Sequence, residues 1–485
     1  MSDLAFRSAT DLCHALRRRE VGSLELLDHL LERVERLNPG INAVVATQVD
    51  AARERARAAD EALARGETWG PLHGLPMTIK DSFEVVGMPT TSGAPELAQH
   101  RPETNASAVQ RLVDAGAVVF GKTNLPLYAS DLQSYNEVYG TTNNPWDTSR
   151  IPGGSSGGAA AALAAGLTPL ELGSDIGGSI RNPAHFCGVY GHKPTHGIVP
   201  LRGHIPGPPG ALSEPDLAVA GPLARDPRDL ERALDVLAGP DDLEGAGWKL
   251  DLPPARHPRL RDYRVALWLD DPTCPISSDS RDLLQGAADA VARAGARVDE
   301  AKPDLDSSAS HLAYLHLLNS IMAAALTPEQ YEQLRQGAAG IDPSTSDPTA
   351  QAVRGMVLSH REWLAANEQR QRLRRRWAAL FRDYDVLLCP VSATPAFPHD
   401  HSDFATRTID IDGATHPYLV QIFWAGVTIA PLLPSTVVPV GRTPAGLPVG
   451  LQVVSAYLED RNSLRFAQLL EDVTGGFEAP PGYAG

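Results

Sequence analysis

Cysteine is scarce in this chain: Cys13, Cys187, Cys274 and Cys389 are the only four in 485 residues, and none forms a CxxC pair. That excludes a disulfide framework or a zinc ribbon and fits a reducing compartment, so a cytoplasmic location is expected. Cys187 reads better as a small buried hydrophobe than as a nucleophile. No apolar run approaches the roughly 18 residues needed to span a bilayer, and the N-terminal stretch lacks the apolar core of a signal peptide. Neither a membrane partner nor a membrane-inserting helix pair is expected. Positive charge is in deficit: 43 Lys and Arg against 59 Asp and Glu leave a formal net charge of −16. That argues against a nucleic-acid partner.

Metal and phosphate motifs are missing too. There is no HExxH, and Pro194 lies between His192 and His196, which breaks their helical spacing. His399-Asp400-His401 reads as surface or internally satisfied histidines. Neither a P-loop nor a GxGxxG after a strand occurs. No metal and no cofactor is expected.

What is present is an ordinary globular composition, 43% hydrophobic and 21% charged, with apolar patterns that alternate between two periods. Leu24, Leu27, Leu30, Leu31 and Val34 fall on one helical face, and Asp50–Arg65 reads as a helix with a solvated side. Strands are predicted at Leu75–Ile79, Ala117–Phe120 and Leu170–Leu172, with helices at Ser107–Ala115 and Gly158–Ala165 between them. Tyr263–Leu269, Asp282–Arg293 and Ala296–Asp299 repeat the strand–helix–strand order, and Asp385–Cys389, Thr436–Val440 and Val449–Val454 add strands. Such alternation predicts an α/β fold: a mixed, mostly parallel sheet covered on both faces by helices. Gly239–Pro258 reads as a surface connector. The stretch from about Ser307 to Arg382 reads as a helical insertion or lid whose Arg370–Arg376 run is a solvated face. The whole of 1–485 is expected to be one domain.

Two glycine-rich loops carry the chemistry: Gly153-Gly154-Ser155-Ser156-Gly157-Gly158 and Gly173-Ser174-Asp175-Ile176-Gly177-Gly178-Ser179-Ile180-Arg181. A lone GGSSGG string is as easily a linker. This one runs into an Ala-rich helix, and a second Gly-Gly-Ser loop follows one helix and one strand later. Backbone N–H groups in such turns can face a developing oxyanion beside a serine. Lys80 ends the apolar run Gly74–Asp81. It is either an ion-pair partner, for instance of Asp81, or a desolvated amine able to act as a general base.

These segments, with Gly121-Lys122-Thr123-Asn124 and Gly140–Trp146, resemble the amidase signature family, chiefly over residues 71–200. The separations of 75 residues from Lys80 to Ser155 and 24 from Ser155 to Ser179 match as well. The resemblance implies a serine hydrolase of amide C–N bonds with a Ser–cis-Ser–Lys triad. Ser179 would be the nucleophile, Ser155 the proton relay behind a cis peptide, and Lys80 the general base. It implies an oxyanion hole from the N–H groups of Ile176, Gly177, Gly178 and Ser179. Gly154, Ser156, Asp175 and Arg181 would support the loops. Tyr128, Ala129, Ser130 and Ile176 would line the acyl pocket, and Phe423 and Trp424 would either contribute to it or belong to the core. Substrates would be small amides, aryl amides, carbamates or esters, and a homodimer is a family-level expectation.

Two rival readings remain. Gly153-x-Ser155-x-Gly157 satisfies the α/β-hydrolase elbow, with His401 and His416 available downstream, but Pro145 and Pro152 disfavour the strand that an elbow requires. Some chains of this family resemble the amide-cleaving subunit of tRNA-dependent amidotransferases, which needs partners. The run Asn182-Pro183-Ala184-His185-Phe186-Cys187 looks more like stand-alone bacterial amidases.

Overall fold

A computed structural model describes residues 4–206, 208–342, 345 and 347–483. Eleven strands form one sheet: β1 (Val44–Thr47), β2 (Pro76–Lys80), β3 (Val118–Thr123), β4 (Leu170–Asp175), β5 (Tyr190–Lys193), β6 (Val219–Ala224), β7 (Arg264–Leu267), β8 (Arg297–Glu300), β9 (Val386–Pro390), β10 (Ser435–Arg442) and β11 (Pro448–Val454). Their order across the sheet is β1-β3-β2-β4-β6-β5-β10-β11-β9-β7-β8.

The expected mixed sheet between helices is present, but its parallel share is smaller than predicted. Only β2–β3, β2–β4, β7–β8 and β7–β9 pair in parallel. The other six neighbouring pairs are antiparallel. The physical reason lies at the centre, where β5, β6, β10 and β11 are buried along most of their length. Burial on both faces removes the polar alternation that would mark an antiparallel strand in the sequence.

The helix Gly157–Ala164 packs wholly inside the protein, with all eight residues buried. Its Gly-Gly-Ala-Ala-Ala-Ala-Leu-Ala sequence keeps side chains small enough for the backbone to approach its neighbours. A Cβ on Gly158 would overlap the backbone of Asn124 and come within 2.8 Å of the Ala43 carbonyl oxygen. The helix is thereby pressed against the end of β3, and Ser155 precedes it by two residues.

The helical region is where expected: Ser307–Met322, Pro328–Ala338, Pro348–Met356 and His360–Asp383. Its basic run is not simply a solvated face. Arg370 is buried, and one nitrogen of its guanidinium sits 2.7 Å from both carboxylate oxygens of Asp216. One position of the helix turns inward, while Arg372 and Arg376 stay outside on Glu368 and Asp304. All four cysteines are buried and free. Among the described residues, no helix is long and apolar enough to cross a membrane.

Gly158→Ala should cost about 1–3 kcal/mol of stability, because both obstacles are backbone that cannot rotate away. Denaturant unfolding of the purified variant measures it.

Candidate active site

Strands β2 and β4 lie side by side and parallel, with Thr78 opposite Glu171 and Ile79 opposite Leu172. Lys80 therefore leaves the end of β2 at the level where β4 runs into the Gly-Gly-Ser loop. Its amine donates to Ser155 Oγ at 2.7 Å and to Ser174 Oγ at 3.0 Å. The Gly154–Ser155 peptide is cis. The loop around it is held by close approaches: a Cβ on Gly154 would overlap the Asp131 carbonyl oxygen, and one on Gly153 would meet Pro183. Ser156 N–H donates to the Ser179 carbonyl at 3.0 Å, which ties the first glycine loop to the second.

Exposure separates the two serines. Lys80 and Ser155 are 0% exposed, whereas Ser179 is 6% exposed and follows the half-buried Ile176 and Gly177. A carbonyl carbon can reach only a hydroxyl that faces solvent or a pocket. Exposure thus places Ser179 outside the buried Ser155–Lys80 pair.

Burial pulls the Lys80 ammonium down to about 7, against the opposing pull of the Asp175 and Glu171 carboxylates. No carboxylate lies within ion-pairing distance of it among the described residues. The sequence left open an ion pair between Lys80 and Asp81, and the structure gives Asp81 to Lys122 instead, at 3.1 Å. Glu171 is buried beside Thr78, and burial pushes its carboxyl up to about 8 although the hydrogen bond from Thr78 opposes the shift.

The second loop is braced by Asp175. Burial alone would raise its carboxyl, but the Arg181 guanidinium holds it at about 2. The pair is bidentate, with Arg181 Nη2 at 2.9 Å from one oxygen and Nε at 3.0 Å from the other. Arg181 continues to the Ala425 carbonyl, Thr428 Oγ1 and Gln452 Oε1. Asp175 also accepts the N–H groups of Gly178 at 2.9 Å and Ile180 at 3.0 Å. This corrects one expectation: Gly178 uses its N–H inside the loop and does not offer it to an oxyanion. The N–H groups of Ile176, Gly177 and Ser179 have no acceptor among the described residues.

Sequence reasoning missed two residues. Ser174 is the second hydroxyl on the Lys80 amine, and only the register of β2 against β4 reveals it. Tyr314, fully buried on the helix Ser307–Met322, donates its hydroxyl to the Ile176 carbonyl at 3.0 Å. No local signal marks it, because the contact joins positions 138 residues apart.

The other expected residues fall in several places. Ser156 is buried between the loops, its hydroxyl 3.4 Å from the Ser174 carbonyl. Tyr128, Ala129 and Ser130 lie just before the segment packed on Gly154, on a surface turn where Tyr128 and Ala129 adopt positive φ. The Tyr128 hydroxyl is taken by Glu96. Phe423 and Trp424 are buried and packed edge-on against Trp268, and Phe423 also lines a small cavity with Trp268, His311 and Trp377. His192 is buried between Thr436 and Asp460. His399 and His401 lie on a loop far along the chain, where His401 stacks on Tyr135. Among the described residues, no group of three or more His, Cys, Asp or Glu side chains is placed to hold a metal ion.

The fold agrees with the comparisons. A family profile described as Amidase matches residues 25–464, and the chain belongs to that family. It is 33% identical to a glutamyl-tRNA(Gln) amidotransferase subunit from Chloroflexus aurantiacus over 500 aligned positions, covering 98% of each chain. Among solved structures, a bacterial aryl acylamidase of the amidase signature family superposes with a TM-score of 0.81 at 25% identity, covering 97% of this chain and 96% of that one. A chain from a vestigial protein complex, described as revealing the origins of an s-triazine catabolic enzyme, also reaches 0.81, at 28% identity over 98% of this chain and 100% of that one.

Asp175→Asn should cost about 3–5 kcal/mol, since it leaves the Arg181 guanidinium buried without its counter-charge. Arg181→Met in the same background should recover part of the loss. A double-mutant cycle on unfolding free energies reads both.

Proposed function

We propose that this chain is an amidase that cleaves amide C–N bonds through an acyl-enzyme on Ser179. The observation that carries this reading is the 2.7 Å contact between a fully buried Lys80 amine and Ser155 Oγ. An amine brought down to about 7 is substantially neutral at physiological pH and can accept a proton.

The steps follow from that contact. Ser179 Oγ attacks the carbonyl carbon while its proton passes through the Ser155 hydroxyl to the neutral Lys80 amine. The oxyanion lies against the N–H groups of Ile176, Gly177 and Ser179. The C–N bond then breaks as Lys80, through Ser155, returns the proton to the departing nitrogen. Water attacks the resulting ester by the same route, releasing a carboxylate and restoring Ser179. Asp175, Arg181, Ser156 and Gly154 hold the two loops in register and take no part in the bond changes. No step needs a cofactor. We read the whole chain as one catalytic unit, supported by a sheet whose strands run from residue 44 to residue 454.

A second reading, the amide-cleaving subunit of an amidotransferase, is favoured by the 33% identity to such a subunit over nearly the full length. Assay of the purified chain alone separates the two. A stand-alone enzyme turns over simple amides or anilides without partners, and an obligate subunit does not.

Ser179→Ala should abolish turnover, and Ser155→Ala should lower kcat by about 10²–10⁴-fold, the range of a lost proton-transfer group. Retained activity in Ser179→Ala would point to Ser155 as the attacker instead. The kcat/KM profile should fall as pH drops through about 7, because Lys80 must be unprotonated to act. A profile flat between pH 6 and 8, as round test points, would remove Lys80 as the base.

A further inference from the structure

We propose that a cavity of about 530 Å³, walled by residues 394–400 and by the hairpin of Thr408–Ile411 with Ala414–Pro417, binds an aliphatic polyamine. The site stands apart from the serine loops: none of Lys80, Ser155 and Ser179 lines it.

Four carboxylates line this cavity: Asp279, Asp400, Asp410 and Asp412. Three of them accept backbone N–H groups: Asp400 from Ser402 at 2.9 Å, Asp410 from Gly413 at 3.1 Å and Asp412 from Ser278 at 2.8 Å. None of the four is ion-paired among the described residues. The cations around them are engaged by other acids. Arg150, on the cavity wall, sits on Asp147 at 3.0 Å. Arg281 and Arg407, whose charges act on Asp412 and Asp400, are held by Asp270 and Asp131. Burial moves His399, also on the wall, toward its neutral form. The cavity thus carries negative charge that no cation of its own neutralises.

Thr394 adds an independent feature. It lines the same cavity, is 7% exposed, and its Oγ1 has no hydrogen-bond partner among the described residues. A buried hydroxyl left unpaired costs free energy that a donor entering the cavity would recover. The carboxylates and this hydroxyl can all accept, and ammonium groups supply the matching charged donors. Among the described residues, no three acidic or histidine side chains are placed to hold a metal ion, so a compact ion cannot gather these acids. The rest of the wall includes hydrocarbon from Pro395, Phe397 and Ile409, and the Phe397 ring packs edge-on to Tyr418 at 5.9 Å. A chain that alternates ammonium with methylene matches both parts: its charges reach separate carboxylates while its carbons lie on apolar surface. The cavity also borders the support of the relay serine. The Gln133 side chain exchanges two hydrogen bonds, at 2.7 and 2.9 Å, with the backbone of Asp400, and residues 131–133 pack on Gly154. A bound polyamine would sit one segment away from that loop.

Calorimetric titration of the purified full chain with spermidine tests this, in about 0.15 M salt so that the long-range pull of an acidic chain is screened. One spermidine should bind per chain, about ten-fold more tightly than butylamine, whose single ammonium meets only one carboxylate. Replacing two exposed acids together, Asp410→Asn with Asp412→Asn, should weaken spermidine by about three-fold or more. Thr394→Val should weaken it by about ten-fold, the scale of a lost hydrogen bond to a charged group. Should Thr394→Val fail to fold, the exposed aspartate pair decides alone. Two controls should bind spermidine as the unaltered chain does: Glu61→Gln, an exposed acid on the helix Val49–Ala64, and Ser179→Ala. No spermidine binding, or butylamine bound equally well, would overturn the proposal. So would an aspartate pair no weaker than Glu61→Gln, which would make the attraction one of general charge. Loss of binding in Ser179→Ala would place the ligand at the serine loops and overturn it as well. Every readout is binding, so the result stands whether or not the chain turns over amides.

Discussion

The site depends on one amine placed where it has no counter-ion among the described residues. Lys80 reaches the protein interior at the end of β2 and meets the hydroxyls of Ser155 and Ser174. Removing an ammonium from water is costly, and hydroxyls offset only part of that cost, so the neutral form gains. Two other buried lysines show that burial alone does not define this role. Lys122 pairs with Asp81 and donates to the Phe83 carbonyl and Thr90 Oγ1, so it fastens the chain that follows Lys80. Lys193 is also brought down to about 7 by burial, yet it donates to the Pro194 carbonyl and to no serine among the described residues. What distinguishes Lys80 is a depressed amine in contact with serine hydroxyls and paired with no carboxylate among the described residues.

That constraint explains why so much ion pairing is placed nearby but not upon it. Asp175 lies close enough to favour the Lys80 ammonium, and it would do so more strongly if its charge were not taken by Arg181. The bidentate pair fixes the second glycine loop and at the same time occupies a carboxylate that favours the ammonium. Gly178 belongs to the same arrangement: its N–H satisfies Asp175, and the three remaining loop N–H groups have no acceptor among the described residues.

Much of this was legible in the sequence where local pattern decides structure. The run ending at Lys80, the strand before the second loop and the Ala-rich helix emerged within a few residues of their predicted bounds. So did the strand–helix–strand unit over residues 264–300. The strands at Tyr190–Lys193 and Val219–Ala224 were missed for a physical reason. Gly191, Gly221 and Pro222 read as turn residues, yet both strands are central and buried on both sides. A Cβ on Gly221 would overlap the His192 carbonyl, so close approach of neighbouring backbones is what that glycine serves. Val44–Thr47 was missed because it is a four-residue edge strand whose pairing partner lies far along the chain. Ser174 and Tyr314 act through register and long-range packing, and neither leaves a mark in its own neighbourhood.

The helical region after residue 300, expected to be an insertion or lid, is part of the site's frame. Ile176 shows how the two halves meet in one residue. Its carbonyl accepts the Tyr314 hydroxyl from that region, its side chain joins the apolar cluster that the region helps to build, and its N–H has no acceptor among the described residues. In the proposed mechanism this N–H faces the oxyanion, so the donor is anchored through its own carbonyl to the helical region. A change in the helical region that displaces Tyr314 would then move the proposed oxyanion donor. The glycine loops and the distant helices are thus tied at one point, the Ile176–Tyr314 hydrogen bond.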